Sequence, residues 1–173
     1  MPESPKFLAD RLKSEGEKMS TFFESLSPGQ WQQTVYTEGA EWTIRSVLAH
    51  FVMAERGFLK LFDNILGGGP GVSEDFSIDR YNARQQEKTR EMTPAELLQA
   101  YRDVRAEIIA WVSQRSQADL QLQGRHAAMG VTTLLEMVKM IYLHNQMHLR
   151  DIKKAIQRIS ESANQRPADP LNR

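Results

Sequence analysis

Four stretches of this chain repeat their apolar residues every three or four positions, and that period commits the chain to helices. The first covers about residues 6 to 26, with Phe7, Leu8, Leu12, Met19, Phe22, Phe23 and Leu26. The second starts after Thr43, a suitable N-cap, and runs to about residue 66. Its Ile44, Val47, Leu48, Phe51, Phe58, Leu59, Phe62 and Ile65 form one broad stripe for burial. The third opens on Thr93-Pro94-Ala95-Glu96, where threonine caps, proline takes the first helical position and Glu96 reaches back to close a capping box. It carries Leu97, Leu98, Tyr101, Val104, Ile108, Ile109 and Trp111 to about residue 117. The fourth begins near Thr132 or Thr133, with Thr133 and Glu136 as a second capping box, and continues to about residue 160.

Between these stretches the punctuation is clear. Ser27-Pro28-Gly29 ends the first helix, and an irregular stretch with Trp31, Tyr36 and Trp42 follows. Gly67-Gly68-Gly69-Pro70-Gly71 stops the second, and a charge-rich amphipathic piece over residues 78 to 90 reads as a partial helix. No alternating strand pattern of useful length occurs, and no repeat of fixed period. The fold expected is all-α: a four-helix bundle over residues 1–161, with a disordered tail at 162–173 that carries Pro167 and Pro170. The connection over residues 67–92 is long enough to cross the bundle and let the second and third long helices run parallel.

Composition removes several function classes. With 173 residues the chain fits one domain with a real core. Lys plus Arg and Asp plus Glu both number 22, so no basic excess draws the chain to nucleic acid or an anionic membrane. No run approaches the ~18 apolar residues of a membrane span. MPESPKFLAD lacks a basic segment followed by an apolar one, so a cytoplasmic location is expected. The chain has no cysteine, which excludes disulfides, thiolate metal sites, iron–sulfur clusters and a cysteine nucleophile. Any metal must be held by His, Asp or Glu.

The candidate ligands are histidines, of which there are four: His50, His126, His144 and His148. Four helical residues turn about 400°, so His144 and His148 project from one face, one above the other. Two ring nitrogens so placed can converge on one ion about 2 Å away. Met137, Met140, Ile141 and Ile152 share that face and turn it inward, and His50 lies one turn beyond Val47 on the inner face of the second helix. A three-histidine metal site between helices is the functional reading; hydrogen-bonded core histidines are the plain one. Three ligands would leave a position open for water or substrate, as in catalytic sites. Asp151 could orient an imidazole, be a fourth ligand or be an exposed charge. Asn145 lies off the pair and is a candidate substrate contact. His126, in a loop, reads as a solvent histidine. The segment 67–71, beside Ser73, Glu74 and Asp75, reads as a plain crossover loop or a gate to the site.

A family resemblance adds to this. Trp42-Thr43-Ile44-Arg45-Ser46-Val47-Leu48-Ala49-His50 with Ala54-Glu55 resembles the second helix of the DinB-like (DinB/YfiT) superfamily. Gly130-Val131-Thr132-Thr133-Leu134-Leu135-Glu136, then His144-x-x-x-His148-Leu149-Arg150-Asp151-Ile152, resembles its fourth helix. Asp79-Arg80-Tyr81-Asn82 ahead of Thr93-Pro94-Ala95-Glu96-Leu97-Leu98 resembles its middle section. The resemblance covers residues 7 to 160 and implies an up-down-down-up bundle, frequently a homodimer. It also implies that His50, His144 and His148 hold one divalent transition metal, zinc or nickel foremost. Relatives include transferases that use low-molecular-weight thiols, a thiol-dependent isomerase and metal-dependent hydrolases. The implied function is a thiol S-transferase or hydrolase acting on a small electrophilic substrate, with such a thiol as possible co-substrate. The alternative is a stress-related bundle that binds metal without turnover. Relatives often carry Gln where this chain has Asp151.

Overall fold

Helix α1 spans Pro5–Glu24 in the computed structural model, which describes residues 3–164. Ser4 caps it by accepting the Phe7 N–H, and Leu8, Leu12, Met19 and Phe23 face inward. Helix α2 is Ile44–Leu66, started as expected by Thr43, whose hydroxyl accepts the Ser46 N–H. After it, α3 occupies Ile78–Lys88, the partial helix of the long connection. Helix α4 is Pro94–Ser113, with both halves of the Thr93–Glu96 capping box formed. It stops short of residue 117 because the backbone turns into a 3-10 turn at Asp119–Gln121, where Ser116 and Asp119 exchange side-chain and backbone hydrogen bonds. Helix α5 is Leu134–Asn164. Its expected capping box is half made: Thr133 accepts the Glu136 N–H, while the Glu136 carboxylate turns to Lys139. The helix overruns the expected tail boundary to Asn164, and residues 165–173, with Pro167 and Pro170, lie outside the described residues.

The side-chain pairs fix the direction of each helix. Along α2 and α4 the contacts rise together: Arg45 with Met92, Glu55 with Arg105, Asp63 with Trp111. Those two helices are parallel. Along α1 and α4 the contacts run oppositely, Arg102 with Glu24 and Arg105 with the Leu12 carbonyl. Along α1 and α5 they rise together again, Arg11 with Tyr142 and Glu15 with Gln146. The order is therefore up-down-down-up. Helix α3 makes it possible by returning along α2, with Tyr81 bonded to the Met53 carbonyl and Gln86 to that of Ser46.

Two short hairpins accompany the helices of the all-α bundle. Strands β1 (Thr34–Tyr36) and β2 (Trp42–Thr43) form one hairpin, and β3 (Gln123–His126) and β4 (Gly130–Thr133) another. Each follows a 3-10 turn and leads directly into a bundle helix, with Ile44 N–H bonded to the Gln33 carbonyl and Leu134 N–H to that of Leu122. Strands of two to four residues are too short to leave an alternating pattern.

The glycine-rich segment considered as a gate is fastened to the second hairpin. Val72 N–H bonds the Arg125 carbonyl at 2.9 Å, and Arg125 N–H bonds that of Pro70 at 2.8 Å. Gly71 has φ +91°, and a Cβ there would overlap the Arg125 backbone, so only glycine lets the two chains meet.

Apolar burial divides the interior into two clusters. Leu12, Phe62, Ile108 and Ile141 belong to one, and Phe23, Phe51, Leu97 and Ile152 to the other. Along α2, α4 and α5 buried or half-buried polar side chains lie between them in sequence: Glu55, Arg105, and the group His144, Asn145 and His148. The functional residues lie in this polar layer.

Candidate metal centre

Helices α2 and α5 bring His50, His144 and His148 together, as the spacing and the facing predicted. His144 Nε2 lies 3.1 Å from His50 Nε2 and 3.0 Å from His148 Nε2. The Phe51 ring packs against the His144 and His148 imidazoles, and Trp42 against that of His50. Burial, reinforced by the neighbouring imidazoles, pushes His50 down to about 3 and His148 to about 4; burial lowers His144 too. All three rings are neutral at neutral pH, the form that ligates metal.

Tyr36, whose role the sequence left unread, sets the orientation of His148. Its hydroxyl lies 2.8 Å from Asp151 Oδ2 and 2.6 Å from His148 Nδ1. A carboxylate only accepts, so the phenolic proton goes to Asp151 and the phenolic oxygen accepts Nδ1–H from His148. Burial, with the Asp151 charge, raises the Tyr36 pKa and keeps that proton in place. The neutral His148 ring then has a bare Nε2 aimed at the cluster. Asp151 thus reaches His148 through Tyr36, the orienting contact among the three roles considered for it. The Asn82 side chain beside His50 partly offsets the effect of its burial.

Proton bookkeeping tests whether a cation suits this donor set. With Nε2 of His148 bare, a proton on His50 Nε2 serves the contact with His144 and leaves His144 and His148 lone pair to lone pair, which a shared cation relieves. A proton on His144 Nε2 instead is a single donor for two neighbouring nitrogens. Three neutral imidazole nitrogens about 3 Å apart fit a divalent transition ion bound at about 2 Å.

Two other expectations are corrected. Asn145 does not face substrate: it is 3% exposed, and its amide donates to Glu55 Oε1 at 3.0 Å and to the Tyr101 hydroxyl at 3.4 Å. His126 is not a solvent histidine. Its half-buried ring stacks on Phe58 at 5.3 Å and 13°, and its Nδ1 accepts the Ala128 and Met129 N–H groups at 3.2 Å each.

Cavities open on both sides of the cluster. One, of about 780 Å³, reaches His50 and His144 and is walled by Met53, Phe58, Tyr81 and Met140. The other, of about 1210 Å³, reaches His148 and carries Glu38, Glu41, Arg45, Asp79 and Arg90. Asn82 lines both.

Removing the Tyr36 hydroxyl isolates its orienting role. Tyr36→Phe should weaken metal binding by about 10- to 100-fold, the usual consequence of losing a ligand's hydrogen-bond partner. Helicity should be unchanged. Titration with zinc against a competing chelator measures this, and wild-type affinity in the variant would show that Tyr36 does not orient His148.

Comparison with known proteins follows the same lines. The sequence profile of the DinB superfamily matches residues 11–152. No curated protein matches the chain in sequence. Among solved structures it is similar to YfiT from Bacillus subtilis, described as a probable metal-dependent hydrolase with an unusual four-helix bundle topology. That likeness has a TM-score of 0.75 at 15% identity and covers 92% of this chain and 90% of that one. It is also similar to an uncharacterised protein from Escherichia coli UTI89, with a TM-score of 0.69 at 13% identity over 92% and 96% of the two chains. The colibactin self-resistance protein ClbS, solved with double-stranded DNA, gives 0.57 at 14% identity over 69% and 76%. These likenesses show the shared fold. Among the described residues no helix is long and apolar enough to cross a membrane.

Proposed function

The chain belongs to the DinB superfamily, and from that premise we propose that it is a metal-dependent enzyme that delivers a small nucleophile, a low-molecular-weight thiol or water, to a small electrophile. The observation that carries this reading is the meeting of three neutral imidazoles between two cavities. When bound, a zinc or nickel ion supplies Lewis acidity and favours the deprotonated form of a thiol or water. Among the described residues the three histidines are the ligating side chains grouped there, so a coordination position is left for the nucleophile.

The surrounding residues have distinct tasks in this reading. Tyr36 and Asp151 hold His148 in its ligating tautomer. Met53, Phe58 and Met140 keep the side at His50 and His144 apolar, which strengthens electrostatic interactions with a reacting group. The opposite cavity, lined by both signs of charge, suits a polar co-substrate such as a charged thiol. Two cavities meeting at one centre favour transfer between two reactants, with hydrolysis as the outcome when water takes the nucleophile's place. The absence of cysteine agrees with a thiol supplied from outside.

The test is turnover. Metal-loaded protein should conjugate a small thiol to a halonitrobenzene or to monobromobimane, or hydrolyse an activated ester or amide. His148→Ala should abolish that rate with far-UV circular dichroism unchanged. A rate that persists in the alanine variants of His50, His144 and His148 would overturn the reading. A chain that binds metal and turns over none of these compounds would instead be a non-catalytic, stress-related metal-binding bundle.

A further inference from the structure

We propose that the cavity on the His50 and His144 side is the binding site of the electrophile. The ligand it takes is a small apolar molecule, aromatic or acyl, that carries one hydrogen-bond acceptor, and His126 Nε2–H is the donor that orients it. The assignment rests on the reading of the three-histidine cluster as the reacting centre.

Three features of the fold converge here. At about 780 Å³ the cavity falls in the range of small-molecule sites, which are mostly apolar with a few convergent polar groups. Phe58, Tyr81 and Met140 supply its walls, and Phe76 and Ile78, 38% and 40% exposed, stand at its margin. Large apolar side chains left this accessible beside a cavity suit an apolar ligand.

Among the polar side chains of the lining, which include Asn82 and Gln85, His126 supplies a fixed donor. Its Nδ1 already accepts from two backbone N–H groups of the hairpin turn, so the proton of the neutral ring sits on Nε2. That N–H has no hydrogen-bond partner among the described residues, and the ring lines the cavity. Phe58 stacks flat on the ring and fixes its plane, which leaves the donor one direction. His126, His50 and His144 line the same cavity, so a ligand held by His126 shares that space with the cluster. His126 is therefore a positioning residue contributed by the β3–β4 hairpin, the segment that also starts α5 and fastens the glycine-rich connection.

The test uses metal-free protein and the naphthyl ketone dye prodan, a neutral aromatic with a single carbonyl acceptor, so that binding is read without turnover. Wild-type protein should bind it saturably with blue-shifted emission. His126→Phe, which keeps a ring on Phe58 and loses the donor, should weaken binding about three- to ten-fold, the worth of one hydrogen bond. It should also shift the bound emission further to the blue, because the ketone loses its donor. Ala128→Trp, at an exposed position on the hairpin that lines the cavity, should weaken binding at least about ten-fold by occupying the space, with the melting temperature unchanged. Absence of saturable binding overturns the assignment, as does binding and emission in both variants equal to wild type. Zinc uptake by the same preparations separates the two levels. Intact uptake with no dye site removes the substrate assignment alone, whereas failed uptake with an intact dye site removes the metal reading.

Discussion

His144→Ala should leave the chain unable to retain a metal that the wild-type protein carries at close to one divalent ion per chain. His144 is the central member of the cluster: its Nε2 contacts both others, which have no Nε2–Nε2 hydrogen bond with each other. Its loss should therefore exceed the effect of removing Tyr36, by about 100-fold or more in affinity against 10- to 100-fold. Elemental analysis of protein purified without an affinity tag gives the occupancy. Because the ligands come from α2 and α5, metal should also stabilise the wild-type fold in a concentration-dependent way, by about 2.7 kcal/mol at a hundredfold excess over Kd. The same increment should be absent in the variant. The pH dependence has a definite sign. His50 and His148 have folded-state values lowered to about 3 and about 4, so between the ordinary histidine value and those points the unfolded chain binds more protons. Stability of the metal-free protein should fall as pH falls through that window, by on the order of 2 kcal/mol from His50 alone at pH 5. Metal should be released below the ordinary histidine range, since protons compete weakly for buried rings. Chelator-treated protein that regains neither zinc nor nickel on dialysis, or a melting curve indifferent to metal at neutral pH, would sink the site.

Much of this was legible in the residues, and the limits have physical causes. The helices were visible because burial of one face writes a period into the sequence, and Thr43 and Thr93 announced two starts through local capping chemistry. The i, i+4 pair at His144 and His148 is likewise local. His50 came within reach because it sits on the buried stripe of α2. Tyr36 did not: it acts on His148 from 112 residues away, and nothing near it in sequence marks its role. The misreading of Asn145 has a similar cause, since its partner Glu55 is 90 residues distant. His126 looked solvated because a Gly-Arg-His loop gives no sign of a hairpin or of Phe58 beneath it. The hairpins escaped notice for their brevity, and with them the recurrence of one connector, a 3-10 turn then a hairpin, before both helices that carry the histidine cluster.

The largest loss of stability from a single side chain should come from Glu55→Ala, although that residue touches no metal ligand by a hydrogen bond. The Glu55 and Arg105 side chains are 2% and 5% exposed and meet in a two-point ion pair between α2 and α4. Arg105 also donates to the Leu12 carbonyl of α1, and Asn145 of α5 donates to Glu55. One carboxylate therefore links, directly or through its partner, all four bundle helices at the layer that carries the histidines. Gly16 belongs to this arrangement, since a Cβ there would press on the Arg105 side chain, 3.0 Å from its Cγ. Removing the carboxylate strands a guanidinium with no route to water, and such a break costs about 3–5 kcal/mol. A chain of this size has about 5–15 kcal/mol in total, so the variant should stand close to its unfolding threshold. The paired replacement Glu55→Leu with Arg105→Met should recover most of the loss, because two apolar side chains leave no buried charge unmatched. It should nonetheless bind metal less tightly, since Asn145, next to His144, loses its acceptor. Urea unfolding of the two single variants and the double variant forms the cycle that measures this. Single-variant losses below about 1 kcal/mol would show that the pair is solvated in solution, and additive losses would show that the two side chains act independently.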